Sequence, residues 1–174
     1  MKIETDRLIL REMNKGDLDA LYAEMLADPE IMKHQPQLFE KEKVRELISH
    51  YIEGYRTFGF GLLAVCLKGT GEMIGECGLT MQLIDGSIKP EIDYHIRRDM
   101  RGKGFTNEAA EAVRDWTFCN TTFHEIYLYA KFQNAKTERI AARWGCRLAS
   151  EFRDGFSDSE KVYVITKNEW EKLN

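Results

Sequence analysis

Apolar residues along this chain recur in two rhythms, and the change from one to the other marks out the elements. Leu8, Ile9 and Leu10 between Arg7 and Arg11 form a short apolar run with charged ends, which predicts an edge or second strand. Asn14 to Asp17 supplies helix-capping residues. Leu18, Leu21, Tyr22, Met25 and Leu26 follow at helical spacing, with Asp28-Pro29 as the stop. A second helix is predicted over Lys41 to Tyr55, where Val44, Leu47, Ile48, Tyr51, Ile52 and Tyr55 repeat on one stripe. Ile31 to Glu40, between the two, has no period and reads as a loop.

After Gly59 the rhythm shortens. Phe60–Leu67, Glu72–Met81 and Lys89–Ile96 read as three strands, the first two joined in a hairpin by the turn Lys68-Gly69-Thr70-Gly71. Gly75 and Gly78 inside the second strand predict a bulge or a close backbone approach. Residues 103–119 read as a helix with Ala109, Ala112, Val113 and Trp116 on one stripe, and Glu125–Lys131 as an alternating strand. A helix over Ala135–Trp144 ends at Gly145. Arg147–Arg153 and Lys161–Thr166 close the chain as a hairpin around Asp154-Gly155. The order predicts an α/β (α+β) architecture. One domain spans 1–174, with a mixed, mostly antiparallel central sheet of about six to seven strands flanked by about four helices.

Composition narrows the function. The 174 residues carry 25 Lys+Arg against 29 Asp+Glu, a net charge of −4, which argues against a general nucleic-acid binder. A chain of this length buries roughly 70% of its unfolded surface and needs no metal or disulfide staple. No stretch approaches the roughly 18 apolar residues of a membrane helix. The N-terminal residues are polar and lack a secretory core, so a cytoplasmic location is expected. Cys66, Cys77, Cys119 and Cys146 lie 11, 42 and 27 positions apart, without Cys-x-x-Cys or a histidine at ligand spacing. They read as buried thiols in a reducing compartment, and no metal is expected.

The stretch from Ile96 to Glu108 carries the most chemical information. A strand ends, Gly102 and Gly104 occur with one residue between them, and a helix begins. Glycines there let backbone N–H groups turn outward together, and the helix start adds free donors and a positive dipole end. Such a concavity suits phosphate. Arg97, Arg98, Arg101 and Lys103 add four cations within seven residues of an acidic chain. A solvated basic turn is the plainer alternative. A Walker A loop is excluded because position 97 is not glycine and no Ser or Thr follows Lys103. A dinucleotide fingerprint is excluded because Asn107 stands where the third glycine belongs.

Arg101-Gly102-Lys103-Gly104-Phe105-Thr106 resembles the acyl-CoA pyrophosphate loop of the GNAT N-acetyltransferases, Gln/Arg-x-x-Gly-x-Gly/Ala, with Thr106 departing at the sixth position. Thr5 to Arg11 resembles the opening strand of the branch containing the ribosomal-protein N-terminal acetyltransferases. Phe58 to Gly61, Ile74-Gly75, Gly78-Leu79, Asn107-Glu108-Ala109, Asn134-x-x-Thr137 and Trp144-Gly145 resemble later landmarks of that branch.

The resemblance implies acetyl-CoA as cofactor. It places pantetheine against the backbone of Tyr94 to Arg98, Ile96 included, and the diphosphate against the amides of Arg101 to Thr106. Asn134 matches the asparagine near pantetheine. The implied reaction is attack of a neutral amine on a thioester, on a protein or peptide N-terminus or a small-molecule amine. Glu91, which shares a strand face with Asp93 and His95, matches a glutamate of the branch and is the first choice of base; Glu76 is the second. A tyrosine donor common in the family is replaced by Ala141, leaving Thr137 as a weaker donor or release of the thiolate directly. Tyr94 and Tyr163 are candidates without a motif, and His34, His50 and His124 read as surface or packing residues. Glu24, Asp28, Glu30 and Glu40 suit a cationic acceptor or are solubilising charges. A monomer or homodimer, with neither nucleic acid nor membrane as partner, completes the expectation. The alternative is a non-catalytic acyl-CoA-binding regulatory module.

Overall fold

The computed structural model describes residues 1–27, 40–130, 135–153 and 159–173. Eight strands are present: β1 Lys2–Glu4, β2 Leu8–Arg11, β3 Leu62–Leu67, β4 Met73–Ile84, β5 Ser87–Ile96, β6 Glu125–Ala130, β7 Arg147–Arg153 and β8 Ser159–Thr166. The helices among the described residues are α1 Leu18–Ala27, α2 Lys41–Phe58, α3 Phe105–Asn120, α4 Ala135–Arg143 and the short α5 Lys167–Trp170. The sheet runs β1-β2-β3-β4-β5-β6-β8-β7. The pairs β1–β2, β2–β3, β3–β4, β6–β8 and β7–β8 are antiparallel, and β5 and β6 run parallel with Glu91 opposite Tyr127. The mixed, mostly antiparallel α/β fold is as expected. The strand count is one or two higher, chiefly because three residues, Lys2 to Glu4, pair with β2. A run that short carries no periodicity.

The chain divides into two compact units, Met1–Gly78 with Asp93–Val113 and Leu79–Ile92 with Arg114–Asn174. In the first, α1 and α2 pack on the sheet through Met13, Leu21, Val44, Ile48, Ala64, Cys66 and Met73, with Leu18, Tyr22, Leu47, Tyr51 and Ile52 against them. The stripe predicted on α2 is therefore the buried one. Each such aliphatic side chain, fully buried, contributes about 1.5–3 kcal/mol. Gly59 ends α2 in the left-handed conformation (φ 75°), its N–H returning to the Tyr55 carbonyl at 3.0 Å. Tyr55 in turn accepts the Met13 N–H at 3.2 Å and donates to the Leu62 carbonyl, tying the helix to the residues just after β2 and to the start of β3.

The second unit is built on Ile84, Tyr127, Val162 and Val164, with Tyr129 against them. Its helix segments close through rings: Phe118 lies 5.3 Å from Trp170, and the Arg114 guanidinium sits 4.9 Å over Trp144. Thr166 and Glu169 form a capping box that starts α5. The predicted loop at Ile31–Glu40 and the turn at Asp154-Gly155 lie, apart from Glu40, outside the described residues.

Candidate active site

The predicted bulge exists, and it shapes the strand that leads to the loop. Val65 pairs with Gly75 and Cys66 with Met73, so two steps on β4 oppose one on β3. Gly75 has φ 155°, and a Cβ there would stand 2.2 Å from the His95 carbonyl oxygen of β5. Only glycine lets β4 and β5 approach this closely. The Ile74 carbonyl accepts the Arg97 N–H at 2.8 Å, which holds the end of β5 just before the chain turns away.

Beyond Ile96 the chain makes a short 3-10 turn, Arg98–Met100, and then the two glycines take positive φ, 78° at Gly102 and 84° at Gly104. α3 begins at Phe105, with its first backbone bond from Glu108 to the Gly104 carbonyl at 3.1 Å. Among the described residues, the N–H groups of Gly102, Gly104, Phe105 and Thr106 make no hydrogen bond. A 16-residue helix adds the positive end of its dipole at the same place. The loop is thus a cluster of main-chain donors on exposed or half-buried residues, which suits an anion with several oxygens.

The four cations divide into different roles. Arg97 is spent inside the protein, donating to Asp99 and Glu72 at 2.7 Å each, and it holds the Asp99 carboxyl below its usual range. Arg101 folds back to give Nε to the Ile96 carbonyl at 2.7 Å, with Nη2 3.4 Å from His95 Nε2. It therefore braces the strand end. Lys103 is exposed, with Nζ 3.5 Å from the Met100 sulfur, and Arg98 is exposed on the 3-10 turn.

The N-terminal segment underpins the loop, a contact that spacing does not reveal. Arg7 gives its backbone N–H to Glu108 Oε1 at 2.9 Å, Nε to Glu108 Oε2 at 2.6 Å and Nη1 to the Lys103 carbonyl at 3.0 Å. Its guanidinium carbon lies 4.5 Å over the Phe105 ring. Thr5 Oγ1 donates to Glu108 Oε1 at 2.6 Å. Burial pushes the Glu108 carboxyl up, but the hydrogen bonds from Thr5 and Arg7 outweigh it and leave it below the usual range. The sequence signal was present in two separate landmarks, Thr5 to Arg11 and Asn107-Glu108, without anything to join them.

Glu91 and Thr137 belong to the second unit. Glu91 is buried on β5 at 7% exposure and does not behave as an exposed strand residue. Thr137 is buried on α4 with Ile140 and Ala141, and Trp144 just after the helix is buried too. Asn134 lies outside the described residues, as do Asp28, Glu30 and His34. Glu40 is exposed. In the first unit, burial pushes the Tyr51 phenol up, with the charges of Glu76 and Asp93 adding to it. Glu76, the second choice of base, thus shares its surroundings with an aromatic hydroxyl and a second carboxylate. Among the described residues no group of three His, Cys, Asp or Glu side chains is placed to hold a metal ion, and no helix is long and apolar enough to cross a membrane.

Comparison with known proteins places this geometry in a class. Residues 7–147 match the family model of the acetyltransferase (GNAT) domain. The chain belongs to the GNAT acetyltransferase family. It is 30% identical over 152 residues to the protein YkkB of Bacillus subtilis (strain 168), covering 87% of this chain and 88% of that one. Its fold is shared with the ribosomal-protein-S5-alanine acetyltransferase from Vibrio fischeri (TM-score 0.80, 15% identity, 98% of each chain). It is shared too with RimL, a ribosomal L7/L12 α-N-protein acetyltransferase solved with coenzyme A (TM-score 0.76, 15% identity, 95% of this chain and 98% of that one).

Proposed function

We propose that this chain is an N-acetyltransferase that carries an acetyl group from acetyl-CoA to a primary amine, either a protein or peptide N-terminus or a small molecule. The observation that carries the reading is the set of main-chain N–H groups at Gly102, Gly104, Phe105 and Thr106, which make no hydrogen bond among the described residues at the start of a long helix. Two phosphates offer enough oxygen acceptors to satisfy them. The family and the coenzyme A complex of RimL support the same cofactor. The loop residues Arg101 to Thr106, with Arg98 and the backbone at Ile96, are proposed to bind it, and Asn134 is proposed for the pantetheine arm.

Acetyl-CoA supplies an activated acyl group as a thioester. In the proposed reaction Glu91 takes the proton of the acceptor ammonium, the freed amine nitrogen bonds to the acyl carbon, and the carbon–sulfur bond breaks. As the amide forms, the nitrogen sheds its second proton, which neutralises the departing thiolate either through solvent or through the Thr137 hydroxyl, which gives one proton and takes one back in place of the tyrosine replaced by Ala141. The buried position of Glu91 supports its role, since a carboxylate surrounded by protein competes with little water for the proton it receives. A cytoplasmic location and a single catalytic domain over the whole chain belong to the same reading.

The test is a CoA titration followed by a thiol-release assay against a panel of amines and N-terminal peptides. Binding of CoA with turnover of at least one acceptor, and a fall in kcat of about 100-fold or more in E91Q, is expected. CoA binding without turnover of any acceptor leaves the chain a non-catalytic acyl-CoA-binding module. Absence of CoA binding overturns the proposal.

A further inference from the structure

We propose that Arg7 is a positioning residue for the diphosphate loop, acting on it from beneath by neutralising Glu108 and fixing the loop's backbone. The inference rests on the acetyl-CoA reading above. Three observations converge on it. The guanidinium bonds the carbonyl of Lys103 at 3.0 Å, so it fixes the peptide that lies between the two left-handed glycines. It stacks 4.5 Å over Phe105, the first residue of α3. A Cβ added at Gly104 would lie 3.3 Å from its Nη2, so the arginine fills the space that the glycine leaves.

The fourth contact concerns charge. Glu108 sits in the first turn of α3, next to the N–H groups assigned to an anionic ligand, and an uncompensated carboxylate there repels a diphosphate. Arg7 bonds both carboxylate oxygens, at 2.9 Å through its backbone and 2.6 Å through Nε. Glu108 thereby anchors the arginine, and the arginine cancels its charge. The pair leaves the net field at the loop to the helix dipole, Lys103 and Arg98. Lysine at position 7 keeps the charge but lacks the planar fork that reaches Glu108 and the Lys103 carbonyl together.

CoA dissociation constants and melting temperatures are measured for the wild type, R7A, R7K and R7A/E108A, at low and moderate salt. R7A weakens CoA binding about tenfold or more, because it both loosens the loop and unmasks Glu108. R7A/E108A binds CoA more tightly than R7A, and this recovery shrinks as salt screens the unmasked charge. R7K falls between R7A and the wild type. A purely structural role for Arg7 predicts the opposite order, with the double variant no better than the single one. That result, or an R7A variant that binds CoA like the wild type, overturns the inference. If R7A does not fold, R7K and R7K/E108Q carry the same comparison. Failure of the wild type to bind CoA sinks the functional reading instead.

Discussion

Gly104 shows how much chemistry rests on the absence of one methyl group. Its φ of 84° lies where a branched side chain costs about 1–3 kcal/mol, and its Cβ position already faces the Arg7 guanidinium at 3.3 Å. G104V is expected to raise the CoA dissociation constant at least about tenfold while lowering the melting temperature by only about 5–10 °C. Titration calorimetry and a thermal melt measure the two together, and unchanged CoA affinity in a folded variant refutes the loop assignment. The glycine was legible in the sequence as half of a Gly-x-Gly turn. Its contact with Arg7 was not, because 97 positions separate them and no local pattern spans that distance. Thr106, which departs from the usual small residue, is half-buried and leaves its own N–H without a partner among the described residues. The departure therefore does not block the backbone donor there.

At the scale of elements, α3 is pinned at its start by a carboxylate, and this sets a pH dependence. Glu108 and Asp17 are both held below their usual ranges. In each case burial raises the carboxyl and hydrogen bonds outweigh that effect, from Thr5 and Arg7 in one case and from Arg11 and the Asn14 N–H in the other. A carboxyl depressed in the folded state binds protons more readily when unfolded. Its contribution to stability is therefore complete above the unfolded value, about 4–4.5, and is lost as pH falls through the lower folded value. The melting temperature is expected to fall as pH drops below about 4.5, with part of that fall absent in E108Q, whose melting temperature is lower at pH 7. Differential scanning calorimetry across that range checks it, and an unchanged acid profile in E108Q counts against the pinning role. The elements themselves were readable wherever one face repeated, as on α2 and on β6. Where β4 meets β5 the pattern stopped short. The strands continue to Ile84 and resume at Ser87 around Asp85-Gly86, a dipeptide suited to a two-residue turn. Leu83 and Ile88 are exposed there, so polar and apolar positions no longer alternate with burial.

Across the whole molecule the four thiols record how the chain is packed. Burial pushes the thiols of Cys66 and Cys77 up and that of the half-buried Cys146 to about 12, whereas Cys119, expected from the sequence to be buried, is exposed near the end of α3. A disulfide reagent is expected to label one thiol rapidly in the native protein and all four in denaturant, and C119S is expected to abolish the fast phase. A fast phase of two or more thiols contradicts the packing. The prediction also sets the background for the thiol-release assay, in which C119S is the cleaner enzyme.

Sequence alone determined the element order, the α/β class, the glycine-turned loop before a helix and the family resemblance. Each of these is written in neighbouring residues, through periods of two or 3.6 and through turn chemistry. Only the tertiary structure decided that Glu91 and Thr137 are buried, that Arg97 is consumed by Glu72 and Asp99, and that Arg7 reaches Glu108. The reason is physical. A side chain's burial and its ionic partner depend on which distant strand or helix packs beside it, and an arginine in a sequence carries the same charge whether it will meet a ligand, a carbonyl or another residue's carboxylate.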